Sequence, residues 1–167
     1  MNIYKSKPLK YENEIPIFSF SDEYIENYNK IGKDVLKNID IHGENPFMPE
    51  NYWNSIENST LLLIEKYIKK NDKILDVGVG LGRLLAKINQ DVEKFGVDID
   101  INQLVKSKDS INVCLSKVEE IPYIDELFDI IICTDVLEHV IDLNLAIKNI
   151  IDCLKLNGKL IIRVPFR

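Results

Sequence analysis

Three glycines alternate with other residues in Asp76-Val77-Gly78-Val79-Gly80-Leu81-Gly82. The stretch follows an apolar run, Lys73-Ile74-Leu75, and leads into Arg83-Leu84-Leu85-Ala86-Lys87-Ile88, which has helical spacing. Glycine at a strand-to-helix turn lets the backbone take positive φ and lets a ligand approach the main chain closely. Two ligand classes use such a turn, and a plain βα connection is the alternative to both. A dinucleotide site wants G-x-G-x-x-G. Gly78 and Gly80 fit that pattern, but Arg83 stands where the third glycine belongs. A pyrophosphate would also meet the carboxylate of Asp76 at the mouth of a loop whose helix end should attract anions. A ligand carrying positive charge gains from the same carboxylate. Phe95-Gly96-Val97-Asp98 reads as a second apolar strand ending in an acid. Asp98 lies about twenty residues past the first glycine, where α/β nucleoside sites place the acid that takes the ribose hydroxyls. The plain alternative is a helix N-cap before Ile101-Lys106; Asp100 suits the cap and Asp98 the ribose. His139, in Asp135-Val136-Leu137-Glu138-His139-Val140, suits general-base work because an imidazole changes charge near neutral pH. Its plain alternative is that Glu138 and His139 organise the loop by hydrogen bonding.

Four blocks of the chain resemble one family. D-x-G-x-G-x-G at Asp76–Gly82 is similar to the first signature of class I S-adenosylmethionine-dependent methyltransferases. Asp98 ends the second block. Ser116 to Tyr123 followed by Leu127 to Cys133 resembles the family's D-A-E-x-L-P-F…F-D-x-V segment. Asp135 to Val140 resembles the V-L-E-H-V segment of a small-molecule branch that includes enzymes of quinone and sugar biosynthesis. The resemblance runs from about Asn71 to Arg167, more than half the chain, with the blocks in family order. It implies S-adenosyl-L-methionine as cofactor, with Asp76, Gly78, Gly80, Gly82, Asp98, Ile99, Val118 and Cys133 in the cofactor-binding set. Asp76 would face the sulfonium and ammonium, Asp98 the ribose diol and Ile99 the adenine face. Lys117 departs from the pattern, since the family commonly has there an acid that accepts from the adenine amino group. The backbone amide of Val118 remains as an adenine donor. His139 is the catalytic candidate, with Glu138 or Asp135 behind it.

The elements that must position these residues follow from alternation. Strands are expected near 73–77, 94–98, 111–115, 129–134 and 158–164, with helices over 82–89, 101–107 and 142–154. Such alternation means parallel strands with right-handed crossovers, and Ile/Leu/Val runs mean strands covered on both faces. The fold class is α/β, a Rossmann-like doubly wound, mainly parallel sheet of five strands in the order 3-2-1-4-5, with N-terminal helices. Asn157-Gly158 is expected to end the last helix. Residues 1–70 form an N-terminal helical lid or extension, and 71–167 the cofactor-binding domain. In the N-terminal part Ser21-Asp22-Glu23 starts a helix. Tyr24, Tyr28, Ile31, Val35 and Ile39 recur on it as one apolar stripe. A loop with His42-Gly43, Pro46 and Pro49 follows. A second helix from about Trp53 to Lys69 faces the core with Leu62, Leu63 and Tyr67. Tyr24, Tyr28 and Trp53 are either lid residues or ordinary core aromatics. The family's usual sixth and seventh strands are absent after Val164-Pro165-Phe166-Arg167. The apolar last strand then has an open edge, which favours a homodimer or a covering partner.

Composition narrows the partners. With 167 residues, 46% hydrophobic and 29% charged, the chain suits one globular domain with a real core. A net charge of −6 argues against nucleic acid, which needs a basic face. No apolar run reaches the roughly twenty residues of a membrane span, and a cytoplasmic location is the default. Cys114, Cys133 and Cys153 have no C-x-x-C spacing, so no metal is expected and the three read as buried, reduced packing residues. The expected function is methyl transfer to an oxygen or nitrogen of a small molecule. The alternatives are a non-catalytic cofactor- or partner-binding module and a nicotinamide-dependent oxidoreductase.

Overall fold

The computed structural model describes residues 3–42 and 49–165. The expected loop through Gly43 and Pro46 lies outside them. Strands β1 (Lys10–Glu12) and β2 (Ile15–Ile17) come first, then helices α1 (Glu23–His42) and α2 (Glu50–Glu65). The alternating part follows as β3 (Lys73–Val77), α3 (Arg83–Ala86), β4 (Glu93–Asp98), α4 (Ile101–Ser107) and β5 (Asn112–Leu115). After a 3₁₀ turn at Val118–Glu120 come β6 (Phe128–Thr134), α5 (Leu143–Cys153) and β7 (Leu154–Arg163).

The sheet corrects the expected strand count and order. Among the described residues it has seven strands, not five, in the order β1-β2-β5-β4-β3-β6-β7. The two additional strands come from the first twenty residues and attach beside β5, where Ile17 pairs with Leu115 in parallel. They carry little sequence signal: each is three residues long, β1 is wholly exposed, and Pro16 sits in the middle of β2. From β5 to β7 the order runs β5-β4-β3-β6-β7, with every pairing parallel.

Period two along the strands sorts the core into two layers. Ile74, Ile130 and Ile132 face one side, with Ile25 of α1, Ile64 of α2, Leu85 of α3 and Leu104 of α4. Leu75, Val77, Ile131 and Cys133 face the other, with Phe95, Tyr123, Phe128 and the α5 residues Ala146 and Ile150. All three cysteines are buried and free.

Two helix expectations fail for physical reasons. Leu62 and Leu63 on α2, and Tyr67 just past its end, were expected to face the core, yet they are 63%, 44% and 45% exposed. The buried face is instead Glu57, Thr60 and Ile64, a partly polar stripe that hydropathy does not reveal. At the other end of the chain, α5 stops at Cys153 rather than at Asn157-Gly158. Leu154 already pairs with Phe128 of β6, and the next pair is Ile130 with Lys159. One residue of β6 therefore lies against four of β7, a bulge in which Asn157 takes its positive φ of 68°.

Candidate cofactor site

A cavity of about 340 Å³ opens at the carboxyl ends of the parallel strands. It lies where the chain leaves β3 for β4 on one side and returns to β6 on the other, the switch point of the sheet. The strand ends supply one wall: Asp76 and Gly78 from β3, Asp98 and Ile99 from β4, Val118 after β5 and Asp135 after β6. Helices supply the other: Tyr24, Tyr28, Ile31 and Val35 from α1, Trp53 and Glu57 from α2. Of the apolar stripe expected on α1, Tyr24, Tyr28, Ile31 and Val35 face the cavity and Ile39 does not; Trp53 lines it too. Asp22 starts α1 by accepting from the Ile25 amide at 3.0 Å. At Gly32 the helix passes so close to α4 that an added Cβ would fall 1.5 Å from Asp100 Oδ2.

The three glycines of the turn have φ of 79°, 50° and 73°, but they do different work. A Cβ on Gly78 would lie 2.2 Å from Val136 Cγ2, so its absence lets the β3 and β6 loops meet. Gly80 lines the cavity and donates its amide to Asp98 Oδ2 at 2.8 Å. Gly82 does not line the cavity. Its absent Cβ leaves room for Ile111 Cδ1, which would otherwise be 2.5 Å away, so this glycine serves packing.

The two acids of this wall look alike in sequence and differ in state. Asp98 is fixed: Oδ1 accepts from the amides of Ile99 at 2.7 Å and Asp100 at 2.9 Å, and Oδ2 from Gly80. Of about four acceptor sites on a carboxylate, that leaves about one for a ribose hydroxyl. Burial raises its titration above the ordinary range while these three amides oppose the rise. Asp76 is 4% exposed, and burial, then the charge of Asp98, push it up to about 8 against the pull of Arg163. Without a ligand Asp76 keeps its proton at neutral pH, and a cation in the cavity would release it. Asp100 caps α4 through the Asn102 amide at 3.0 Å, as its position suggested.

Ile99 and Val118, the residues expected beside adenine, both line the cavity. Lys117, the departure from the family pattern, is ion-paired with Asp22 at the head of α1, and its amide donates to Ser19 Oγ at 2.9 Å. The departure thus fastens the N-terminal segment to this side of the cavity. Cys133 is not brought to the site. It is fully buried among the α5-side core residues, outside the cavity lining, and burial pushes its thiol up to about 12. His139 lines the cavity with its side chain half-exposed. The Tyr24 hydroxyl donates to its carbonyl at 2.8 Å.

Sequence reasoning missed Arg163 and Glu57. Arg163 ends β7 and lines the cavity. It donates Nε to Asp135 Oδ1 at 3.3 Å, Nη2 to Asp135 Oδ2, and Nη1 to Thr60 Oγ1 at 3.0 Å. The signal was a lone charge closing the apolar run Leu160-Ile161-Ile162. Glu57 is buried and binds Arg83 at 3.2 Å, Lys87 and the Trp53 indole, joining α2 to the helix after the glycine turn. Arg83 also pairs with Glu50 at 2.7 Å. The lining cations Arg83, Lys117 and Arg163 are therefore all neutralised locally by Glu50, Glu57, Asp22 and Asp135, so no unpaired cation among them faces the acids of the strand ends.

A buried carboxylate that lacks a full counter-charge, an acid with about one acceptor site left, and apolar Ile99 and Val118 beside them match an adenosine joined to a cation. A pyrophosphate fits poorly, since Arg83 is committed and α3 spans only four residues. The sequence profile described as "Methyltransferase domain" matches residues 75–162. Uncharacterized protein MJ0638 of Methanocaldococcus jannaschii is 35% identical over 104 residues, 62% of this chain and 45% of that protein. Ubiquinone/menaquinone biosynthesis C-methyltransferase UbiE of Pectobacterium atrosepticum is 30% identical over 108 residues, 57% of this chain and 43% of that one. The chain spans about half the length of these relatives. Among solved structures, phosphoethanolamine N-methyltransferase 2 of Haemonchus contortus, in complex with S-adenosyl-L-methionine, aligns with a TM-score of 0.65. It covers 89% of this chain and 36% of its own at 20% identity, a likeness of fold. The chain belongs to the class I S-adenosylmethionine-dependent methyltransferase family.

Proposed function

We propose that this chain binds S-adenosylmethionine in the strand-end cavity and supports methyl transfer to an oxygen or nitrogen of a small molecule, such as a sugar or a quinone precursor. The observation that carries the reading is the pair of acids, buried Asp76 and part-buried Asp98, on adjacent strands lining one cavity. When bound, S-adenosylmethionine supplies a methyl group on positively charged sulfur, which makes that carbon electrophilic. Asp76 would ionise to balance the positive charge, and Asp98 would accept from the ribose. Ile99 and Val118 would bracket the adenine. The helical wall of Tyr24, Tyr28 and Trp53 would exclude water, so that protein groups replace the solvent around the reactants. His139, at the open rim, would take the proton that the acceptor loses.

Calorimetric titration with S-adenosylhomocysteine and with NAD tests the cofactor assignment. Binding of the first with no heat from the second is expected. Equal affinity for both, or binding of NAD alone, would sink it.

A further inference from the structure

Among the described residues, one buried side-chain oxygen has no hydrogen-bond partner: Oε2 of Glu138. The Glu138 side chain is 15% exposed, and its Oε1 lies 3.9 Å from Nε2 of His139, too far for a hydrogen bond. An oxygen buried in that way costs stability and returns none. A residue whose task was to hold its loop would make the bonds that hold it. Other residues do that work here. Asp135 has both oxygens on Arg163. Tyr24 fixes the carbonyl of His139. Glu119 Oε1 accepts from the amides of Ile141 at 2.7 Å and Asp142 at 3.1 Å. The loop is anchored at its start, middle and end without Glu138. Of the two acids beside His139, Asp135 is committed and Glu138 is not.

We propose that Glu138 is the positioning residue of His139: its carboxyl accepts the proton on Nε2 and leaves the lone pair of Nδ1 for the methyl acceptor. This rests on the methyltransferase reading and adds to it the atom that receives the proton. Rotating the half-exposed imidazole and the carboxyl closes 3.9 Å to the ~2.8 Å of a charge-assisted bond. The Tyr28 ring stands edge-on to the imidazole, 6.2 Å between centroids. In a neutral imidazole the nitrogen that donates decides which one accepts. In the step itself the acceptor's O–H or N–H bond breaks and its proton goes to Nδ1. The electron pair of that bond stays on the acceptor atom for the new bond to carbon. The imidazolium that results is paired with the Glu138 carboxylate.

Nitrogen-15 spectra of the histidine rings test this without any acceptor. The chain has two histidines, His42 and His139, and a His42→Gln background leaves one set of signals. Above neutral pH the expected result is a single form with the proton on Nε2. Glu138→Gln should keep that form, because the amide oxygen still accepts. Glu138→Ala should give a mixture of the two tautomers while melting within about two degrees of the parent, since the one bond lost is to a half-exposed imidazole and the unpaired buried oxygen goes with it. A proton on Nδ1 in the parent, an unchanged spectrum in Glu138→Ala, or a Glu138→Gln spectrum that matches Glu138→Ala would overturn the proposal. So would a Glu138→Ala melting point lower by several degrees, which would make Glu138 structural. Failure to bind S-adenosylhomocysteine would strike the cofactor reading alone and leave the tautomer result intact.

Discussion

The two walls of the cavity are built on different physics. The strand-end wall is made of backbone geometry and acid: the positive-φ glycines Gly78 and Gly80, and Asp98 locked by three amides. The helical wall is made of side chains: aromatic rings over the cavity, and ion pairs such as Glu57 with Arg83 and Lys87 behind them. A wall fixed by main-chain bonds positions a ligand closely; a wall fixed by long side chains can shift. The first should therefore decide whether the cofactor binds, and the second how tightly it is enclosed.

The largest separation between the walls is expected at Asp76. Removing its charge in Asp76→Asn should weaken S-adenosylmethionine by at least about tenfold, roughly 1.4 kcal/mol, if a buried carboxylate balances the cation. The same change should stabilise the ligand-free protein. With a folded titration near 8, above the unfolded value, the native state holds a proton that the unfolded chain has lost. The group's stabilising contribution is complete below pH ~4 and is lost as pH rises through ~8. At pH 8 the variant should melt several degrees higher, at about 2–4 °C per kcal/mol for a chain of this size. Calorimetric binding and thermal melts at pH 6 and 8 check both signs.

Asp98→Ala should act in the opposite sense on stability. It removes three amide hydrogen bonds to a carboxylate, nominally about 1.5–3 kcal/mol each, with relaxation recovering part. Both melting temperature and affinity should fall, affinity at least tenfold. A loss of affinity with an unchanged melt would mean that the three bonds matter little to the turn.

On the helical wall the effects should be smaller. Glu57→Ala leaves Arg83 and Lys87, each about one third exposed, without their shared partner. A cost of about 1–2 kcal/mol is expected, because solvent screens both cations. Affinity should drop only a fewfold. Trp53, the chain's single tryptophan, donates to Glu57 at 2.6 Å, so its fluorescence should shift in the variant. A loss of binding as large as that of Asp76→Asn would erase the distinction between the walls.

The smallest effect concerns the sheet edges. β1 and β2 cover the edge at β5, opposite to β7. Beyond β7 no strand pairs among the described residues, and Leu156, Ile162 and Val164 are 83%, 44% and 53% exposed. We expect weak concentration-dependent self-association in sedimentation, reduced by Ile162→Lys. A monomer at high micromolar concentration would count against it.

The same contrast explains what was legible in the sequence. Asp76, Asp98 and the glycine turn could be located because the chemistry demands fixed spacing along adjacent parallel strands. The five strands of the alternating part were legible from apolar runs. β1 and β2 were not, because three exposed or proline-bearing residues pair only once a neighbour exists. The face of α2 was misread because its buried stripe is partly polar: Glu57 meets Arg83 and Lys87, Thr60 meets Arg163, and only Ile64 joins the apolar core. Cys133 entered the cofactor set through the family resemblance alone; the period of two points it to the α5 side instead. Arg163 escaped because its role depends on Asp135 and Thr60, distant in sequence.

Proton counting tests the central claim most directly. S-adenosylmethionine is titrated into the protein at pH 7 in two buffers of different ionisation enthalpy, and the difference in heat gives the protons exchanged. If Asp76 is protonated in the free site and ionises against the bound cation, close to one proton should be released at pH 7. In Asp76→Asn, whatever binding remains should release none. Tight binding with no proton released in the parent protein would contradict the account, because Asp76 would then not face the positive charge.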